Sequence, residues 1–372
     1  MRNGLTLGSL FDGIGGFPLA AVREGIRPVW ASEIEAAPIS ITKRHFPGMR
    51  HLGDIAKLNG GDIEPVDIIT FGSPCQDLSI SGRRAGLDGE RSGLFLEAVR
   101  IIKEMRSATN GNYPARIIWE NVPGAFSSNK RKDFQTVIGE IAGIAEAGVS
   151  IPRPPKKSGW MAAGAVLGDR WSLAWRTLDA QYWGVPQRRR RIFLVADFGG
   201  RCAGEILFEP EGRTGDFEKG KNEGEGIAGN AESGNRQFAI DIGHSTDRIQ
   251  MYPRSSVTLR ANGGGLGAKT GLYYLPVTSY QDTVGCLCGR DYKGVGSQYV
   301  DEDKCVCGGS RGIRRLTPTE CERLQGFPDG WTEFGHDGRR ISDNQRYMAL
   351  GNSVAIPCVE FVISGIKKTV QG

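Results

Sequence analysis

No run of apolar residues in this chain of 372 approaches the length needed to span a bilayer. The start, Met1-Arg2-Asn3-Gly4-Leu5, passes into a strand-like segment without the apolar stretch and cleavage site of a signal peptide, so a cytoplasmic location is expected. Cysteine is sparse and scattered: 8 thiols without regular spacing argue against a disulfide scaffold in a chain of this size. Excess charge is also scarce. A formal net charge of +5 supports nucleic-acid binding only weakly. What is present, 39% hydrophobic and 24% charged residues, is the composition of a folded protein with room for more than one domain.

The distribution of charge says more than its sum. Arg188-Arg189-Arg190-Arg191 forms a compact basic run, whereas Glu205 to Glu232 is acidic and glycine-rich, as a solvated loop would be. Along the first half, apolar strand-like and amphipathic helix-like segments alternate. Strands are predicted at Leu5–Phe11, Arg27–Ala31, Val66–Phe71, Arg116–Trp119 and Arg191–Ala196. Helices are predicted at Phe17–Arg23, Ala36–His45, Ser92–Arg106 and Asp133–Ala147, with Leu94, Ala98, Ile101, Ile102 and Met105 on one face of the third. Such alternation implies an α/β domain with a mostly parallel sheet covered by helices. Pro152 to Lys157 reads as an exposed connection. Beyond Gly199 short strand-like pieces such as Ser256–Leu259 and Leu272–Leu275 suggest a second, smaller, β-rich domain, and from Arg315 the helical pattern returns. The division expected is 1–198, 199–313 and 314–372, the last completing the first domain.

Two constellations carry chemistry. After the first strand, Asp12-Gly13-Ile14-Gly15-Gly16 makes a tight turn suited to close ligand approach, although it lacks the full G-x-G-x-x-G spacing. Glu33 ends the next strand about 20 residues later, where a carboxylate can accept both ribose hydroxyls, and Asp54 can accept from an adenine amino group. Asp12 would repel a pyrophosphate but could face a sulfonium-linked amino acid. The second constellation begins with Gly72-Ser73-Pro74-Cys75-Gln76, which follows an apolar strand and holds a thiol that is either a buried apolar residue or a nucleophile. Glu120 in Glu120-Asn121-Val122-Pro123 reaches the same sheet edge and could act as an acid, or serve only as a loop carboxylate. Strand alternation sends Arg189 and Arg191 one way, Arg188 and Arg190 the other.

Together these motifs strongly resemble the DNA (cytosine-5) methyltransferases, bacterial or phage type, over nearly the whole chain. The matches run in order: Phe11-Asp12-Gly13-Ile14-Gly15-Gly16-Phe17, Gly72-Ser73-Pro74-Cys75-Gln76, Glu120-Asn121-Val122, then Gln187, Arg189 and Arg191 as Q-x-R-x-R. Arg315-Leu316-Thr317-Pro318 through Pro328 and Gly351-Asn352-Ser353-Val354 complete the series. Ser73 departs from the proline or aromatic residue often found there.

The resemblance implies a Rossmann-like S-adenosylmethionine-dependent sheet with a smaller target-recognition domain. It also implies transfer of methyl from S-adenosyl-L-methionine to C5 of a cytosine flipped from double-stranded DNA. Cys75 would attack C6, Glu120 would hold or protonate N3, and Arg189 and Arg191 would contact the base carbonyl and support Glu120. The cofactor would meet Phe11, Asp12, Gly13, Ile14, Gly15, Gly16, Glu33, Asp54, Ile55, Pro74, Asn352 and Val354. DNA would meet Gln76, Ser79, Ser81, Gln187, Arg248, Arg260 and Asn262, with Arg254 and Lys269 as further candidates. A monomer is expected, with no membrane partner and no stable complex with any cognate restriction endonuclease. An inactive DNA-binding homologue and an RNA cytosine-5 methyltransferase are the alternatives.

Within the recognition region, residues 276–309 read as an insertion containing Cys286, Cys288, Cys305 and Cys307. Two C-x-C pairs could bind zinc, but they are tighter than the usual spacing and the resemblance implies no such site, so reduced cysteines and no metal are expected.

Overall fold

The computed structural model describes residues 4–72, 93–155, 159–208, 237–241, 250–253, 272–276, 284–289, 291, 305–308 and 312–371. The first half alternates as its sequence predicts: β1 (Thr6–Leu10), α1 (Gly16–Arg23), β2 (Arg27–Ser32), α2 (Ala36–His45), β3 (Arg50–His51), β4 (Ile68–Phe71), α3 (Gly93–Ala108), β5 (Arg116–Asn121) and α4 (Ser128–Ala145). Three residues early in α4, Asn129, Lys130 and Arg131, have positive φ, so regular helix starts beyond them, next to the predicted start at Asp133. β6 (Ala163–Leu167), β7 (Ser172–Asp179) and β8 (Arg190–Asp197) follow, then α5 (Ala203–Leu207).

The strands form one sheet in the order β3-β2-β1-β4-β5-β8-β7-β6. From β3 to β5 every pairing is parallel, while β5–β8, β8–β7 and β7–β6 are antiparallel. The sheet is mostly parallel, as expected, with its antiparallel pairings gathered on the β5–β6 side. The β6–β7–β8 run returns through short connections, which only antiparallel pairing allows.

Side-chain alternation builds a core on each face. Leu7, Ile68 and Ile118 point to one side, where α1, α5 and the C-terminal helices pack. Leu10, Ile69, Ile117 and Trp119 point to the other, under α3 and α4. The C-terminal helices are α6 (Pro318–Gln325), α7 (Asp343–Asn352) and α8 (Ile356–Gln371). A capping box starts α6, in which Thr317 Oγ1 accepts from Glu320 N–H at 3.2 Å and Glu320 Oε2 accepts from Thr317 N–H at 2.7 Å. Packing of α8 on α1 joins the two ends of the chain. Among the described residues, no single helix is long and apolar enough to cross a membrane.

Small antiparallel sheets lie apart from the main one: β9 (Gln237–Asp241), β10 (Gln250–Pro253) and β11 (Leu272–Pro276) in the order β10-β9-β11, and a pair of β12 (Cys305–Gly308) with β13 (Gly312–Arg315). The strand predicted at Leu272–Leu275 is β11, while Ser256–Leu259 lies outside the described residues.

Candidate active site

The strand order reverses between β1 and β4, and the crevice beyond the strand ends at such a reversal is where open α/β sheets bind ligands. The turn after β1 occupies it. Phe11 leaves the strand at φ 54°, a left-handed conformation costly for a side-chain-bearing residue, and Gly13 and Gly15 follow at 58° and 80°. Glu33 braces this turn: Oε2 accepts from Gly13 N–H at 2.8 Å, and Oε1 accepts from Ile34 and Glu35 N–H at 2.8 and 3.0 Å. The C-terminal half reaches the same turn, since Trp331 Nε1 donates to the Ile14 carbonyl at 2.9 Å and Gly16 abuts Val354.

Inside the turn Asp12 is buried, and neither carboxylate oxygen has a hydrogen-bond partner among the described residues. Burial pushes its pKa up to about 8, with Ser9 opposing and the charge of Glu33 adding to the rise. An orphaned buried carboxyl fits a ligand that brings a positive charge or donors to it, and a sulfonium cofactor with an amino group is such a ligand. Asp54 caps a short helical turn, accepting from Ala56 N–H at 3.0 Å, and its neighbour Ile55 is buried. Asn352, at the end of α7, is exposed, with its amide oxygen against Gly289.

At the reacting end, Phe71 on β4 pairs with Trp119 on β5, which sets Gly72 beside Glu120. A methyl group on Gly72 would stand 3.2 Å from Glu120 Oε2. Glu120 is largely buried and Arg191 Nε lies 3.1 Å from its Oε1. Burial raises the Glu120 pKa; Arg191 and then Arg189 pull it down, and Cys286 raises it further. Cys75, Pro74, Gln76, Ser79 and Ser81 lie outside the described residues, which resume at Gly93.

The alternation of the arginine run holds, with Arg188 and Arg190 exposed and Arg189 and Arg191 turned inward. The inward pair then divides. Arg189 gives Nη1 to the Leu287 carbonyl at 2.9 Å and Nη2 to the carbonyls of Gly351, at 3.1 Å, and Ser353. That geometry clamps the C-terminal loop beside β8, while the charge of Arg189 also acts on Glu120. Gln187, expected on the DNA side, is fully buried, with Nε2 3.5 Å from the Leu324 carbonyl. Arg248, Arg260 and Asn262 lie outside the described residues, as do Arg254 and Lys269.

One segment of the expected insertion 276–309 packs on the main domain. Residues 284–289 pass through the main domain: Val284 N–H donates to the Pro186 carbonyl and Arg188 N–H to the Val284 carbonyl, both at 2.8 Å, and Leu287 joins the core. Cys286 is thereby placed 3.5 Å from Arg189 Nη1 and 3.8 Å from Arg191 Nη2. The hydrogen bond from Cys288 and the charges of Arg189 and Arg191 draw its pKa down to about 4 against the effect of burial. No local pattern in the sequence marks this approach, which joins positions nearly a hundred residues apart.

The sheet order, the orphaned carboxyl at the switch point and the buried Glu120–Arg191 pair define a class I S-adenosylmethionine-dependent methyltransferase fold. Residues 5–147 and 160–368 match the C-5 cytosine-specific DNA methylases, and the chain belongs to that family. An Escherichia phage P1 protein called DNA N-6-adenine-methyltransferase is 29% identical over 466 aligned positions, covering 98% of this chain. The chain spans 61% of that protein's length. The type II methyltransferase M1.ScrFI of Lactococcus lactis subsp. cremoris is 27% identical, over 97% of this chain and 78% of its own. In fold the chain is similar to the Entamoeba histolytica methyltransferase EhMeth, with a TM-score of 0.64 over the full length of both chains at 14% identity.

Proposed function

We propose that this protein is a site-specific DNA (cytosine-5) methyltransferase that uses S-adenosyl-L-methionine and acts on a cytosine turned out of double-stranded DNA. The observation that carries the reading is the largely buried Glu120 carboxyl, raised in pKa and paired with Arg191 at 3.1 Å, beside the strand that leads into Gly72-Ser73-Pro74-Cys75. Ring carbon 6 is shielded within a base stack, so the base must leave the duplex before a thiol can reach it. Cys75 then bonds to carbon 6, and the electron pair displaced from the ring double bond makes carbon 5 nucleophilic. Glu120 delivers its proton to ring nitrogen 3 as charge develops there, and Arg191 holds the carboxyl and faces the base carbonyl. When bound, S-adenosylmethionine supplies an electrophilic methyl group. Transfer of the carbon 5 proton to water then expels Cys75 as thiolate, and return of the nitrogen 3 proton to Glu120 restores the neutral aromatic ring.

Asp12, Gly13, Glu33, Asp54, Asn352 and Val354 form the cofactor side of this reading, with Asp12 facing the cofactor's positive charge. Residues 199–313 serve target recognition between the catalytic parts 1–198 and 314–372. The protein works without a stable restriction-enzyme complex.

The test is methyl transfer by purified protein from labelled S-adenosylmethionine to unmethylated duplex DNA and, in parallel, to RNA, with nucleosides separated afterwards. The expected product is 5-methylcytosine in DNA, lost in Cys75→Ala. Label in N6-methyladenine, in RNA alone, or in neither polymer would overturn the reading.

A further inference from the structure

Cys286 holds a place in the charge arrangement that the methyl-transfer scheme leaves unassigned. Its Sγ lies between two guanidinium groups of the β8 region, 3.5 Å from Arg189 Nη1 and 3.8 Å from Arg191 Nη2. Glu120 faces it from β5, and Cys288 Sγ donates to the Cys286 carbonyl at 3.5 Å from its own loop. The loop is held on both sides. Arg189 Nη1 grips the Leu287 carbonyl at 2.9 Å, and the backbone at Gly351 comes so near that a methyl group there would fall 2.2 Å from the Cys288 carbonyl carbon.

Among the described residues, a neutral thiol in this position donates to the Leu287 carbonyl at 3.5 Å. On ionisation the two arginine contacts become charge-assisted, and adjacent cations favour the thiolate. Arg191 then serves two anions, Glu120 at Nε and Cys286 at Nη2. A second anion on the same guanidinium disfavours loss of the carboxyl proton.

We propose that Cys286 is a positioning residue, a thiolate counter-ion that with Glu120 orients the Arg191 guanidinium and keeps the Glu120 carboxyl in its proton-bearing form. The assignment rests on the proposed role of Glu120 as proton donor to the ring.

Cys286→Ser keeps the size and hydrogen bonding of the side chain but stays neutral. In this variant kcat falls about tenfold, with KM for DNA little changed. The high-pH limb of kcat, where Glu120 gives up its proton, moves to lower pH because a neighbouring negative charge is gone. A purely structural role would lower the rate equally at every pH, and an unmoved limb overturns the proposal.

Peptide-resolved alkylation by iodoacetamide at about pH 5.5, where ordinary thiols are protonated, provides a readout that needs no turnover. Cys286 labels faster than Cys202 and Cys358, whose pKa values are raised by burial. Equal rates overturn the proposal. If wild-type protein transfers no methyl group, the proposed function fails, and the thiolate assignment stands or falls on the labelling.

Discussion

Arg191 Nε meets Glu120 Oε1 at 3.1 Å across the one strand pair, β5 and β8, where the parallel half of the sheet gives way to the antiparallel half. The two side chains reach each other because β8 begins where β5 ends, with Glu120 in register with Phe193 and Asn121 with Ile192. Burial raises the pKa of a carboxyl in this position, against the opposing charges of Arg191 and Arg189.

The first prediction concerns that proton. Burial raises the Glu120 pKa, so a rate that needs the acid form is complete below the raised value and falls as pH rises through it. Glu120→Gln lowers kcat by about 100- to 10,000-fold and leaves DNA affinity near that of the wild type. A pH–rate profile and a binding titration check both points.

The two inward arginines separate under mutation. Arg189→Ala strands the carbonyls of Leu287, Gly351 and Ser353 and lowers stability by about 3 kcal/mol. It also weakens cofactor binding, because the loop that carries Asn352 loosens. Arg191→Ala leaves that loop clamp in place and abolishes most of the turnover. Thermal unfolding measured beside single-turnover rates would place the two effects in different residues.

Asp12 makes the cofactor-free protein sensitive to pH. Its folded pKa of about 8 lies above the ordinary aspartate value of 3.8, so the native state holds a proton that the unfolded chain releases. The stability this supplies is complete below the unfolded value and is lost as pH rises through the folded one. Cofactor-free protein therefore melts at lower temperature at pH 9 than at pH 6, and Asp12→Asn flattens this difference while weakening S-adenosylmethionine binding. Melting curves across that range, with and without cofactor, measure it.

Gly72→Ala tests the approach of β4 to the acid. The new methyl group would stand 3.2 Å from Glu120 Oε2, inside ordinary contact distance, so the carboxyl must yield by a few tenths of an ångström. Displacement at a reacting group lowers kcat about tenfold while melting temperature stays near that of the wild type. Unchanged turnover would remove Gly72 from the geometry of the site.

The alternating half of the chain was legible from local pattern. Helix α2 matches its prediction from Ala36 to His45, and of the apolar face read from Leu94, Ala98, Ile101, Ile102 and Met105 all but the half-buried Leu94 lie on the buried face of α3. β6 escaped notice because Ala163, Gly164 and Ala165 carry little apolar contrast and their edge strand leaves alternate residues exposed. Glu120 and the inward turn of Arg189 and Arg191 were also readable, since side-chain alternation is a property of the strand alone. What those arginines touch was not. Their spacing makes them equivalent, and the difference arises where Ser353 and Leu287 arrive from remote parts of the chain.

By itself, the sequence determined the order of motifs, the sheet edge to which they run and the face each side chain takes, because periodicities of two and 3.6 residues act over a few neighbours. Tertiary structure alone decided that Gln187 is buried, that Arg189 clamps a loop, and that Cys286 stands against the Glu120–Arg191 pair. Those outcomes depend on which distant backbone fills the space above β8, and packing of the whole chain settles that choice.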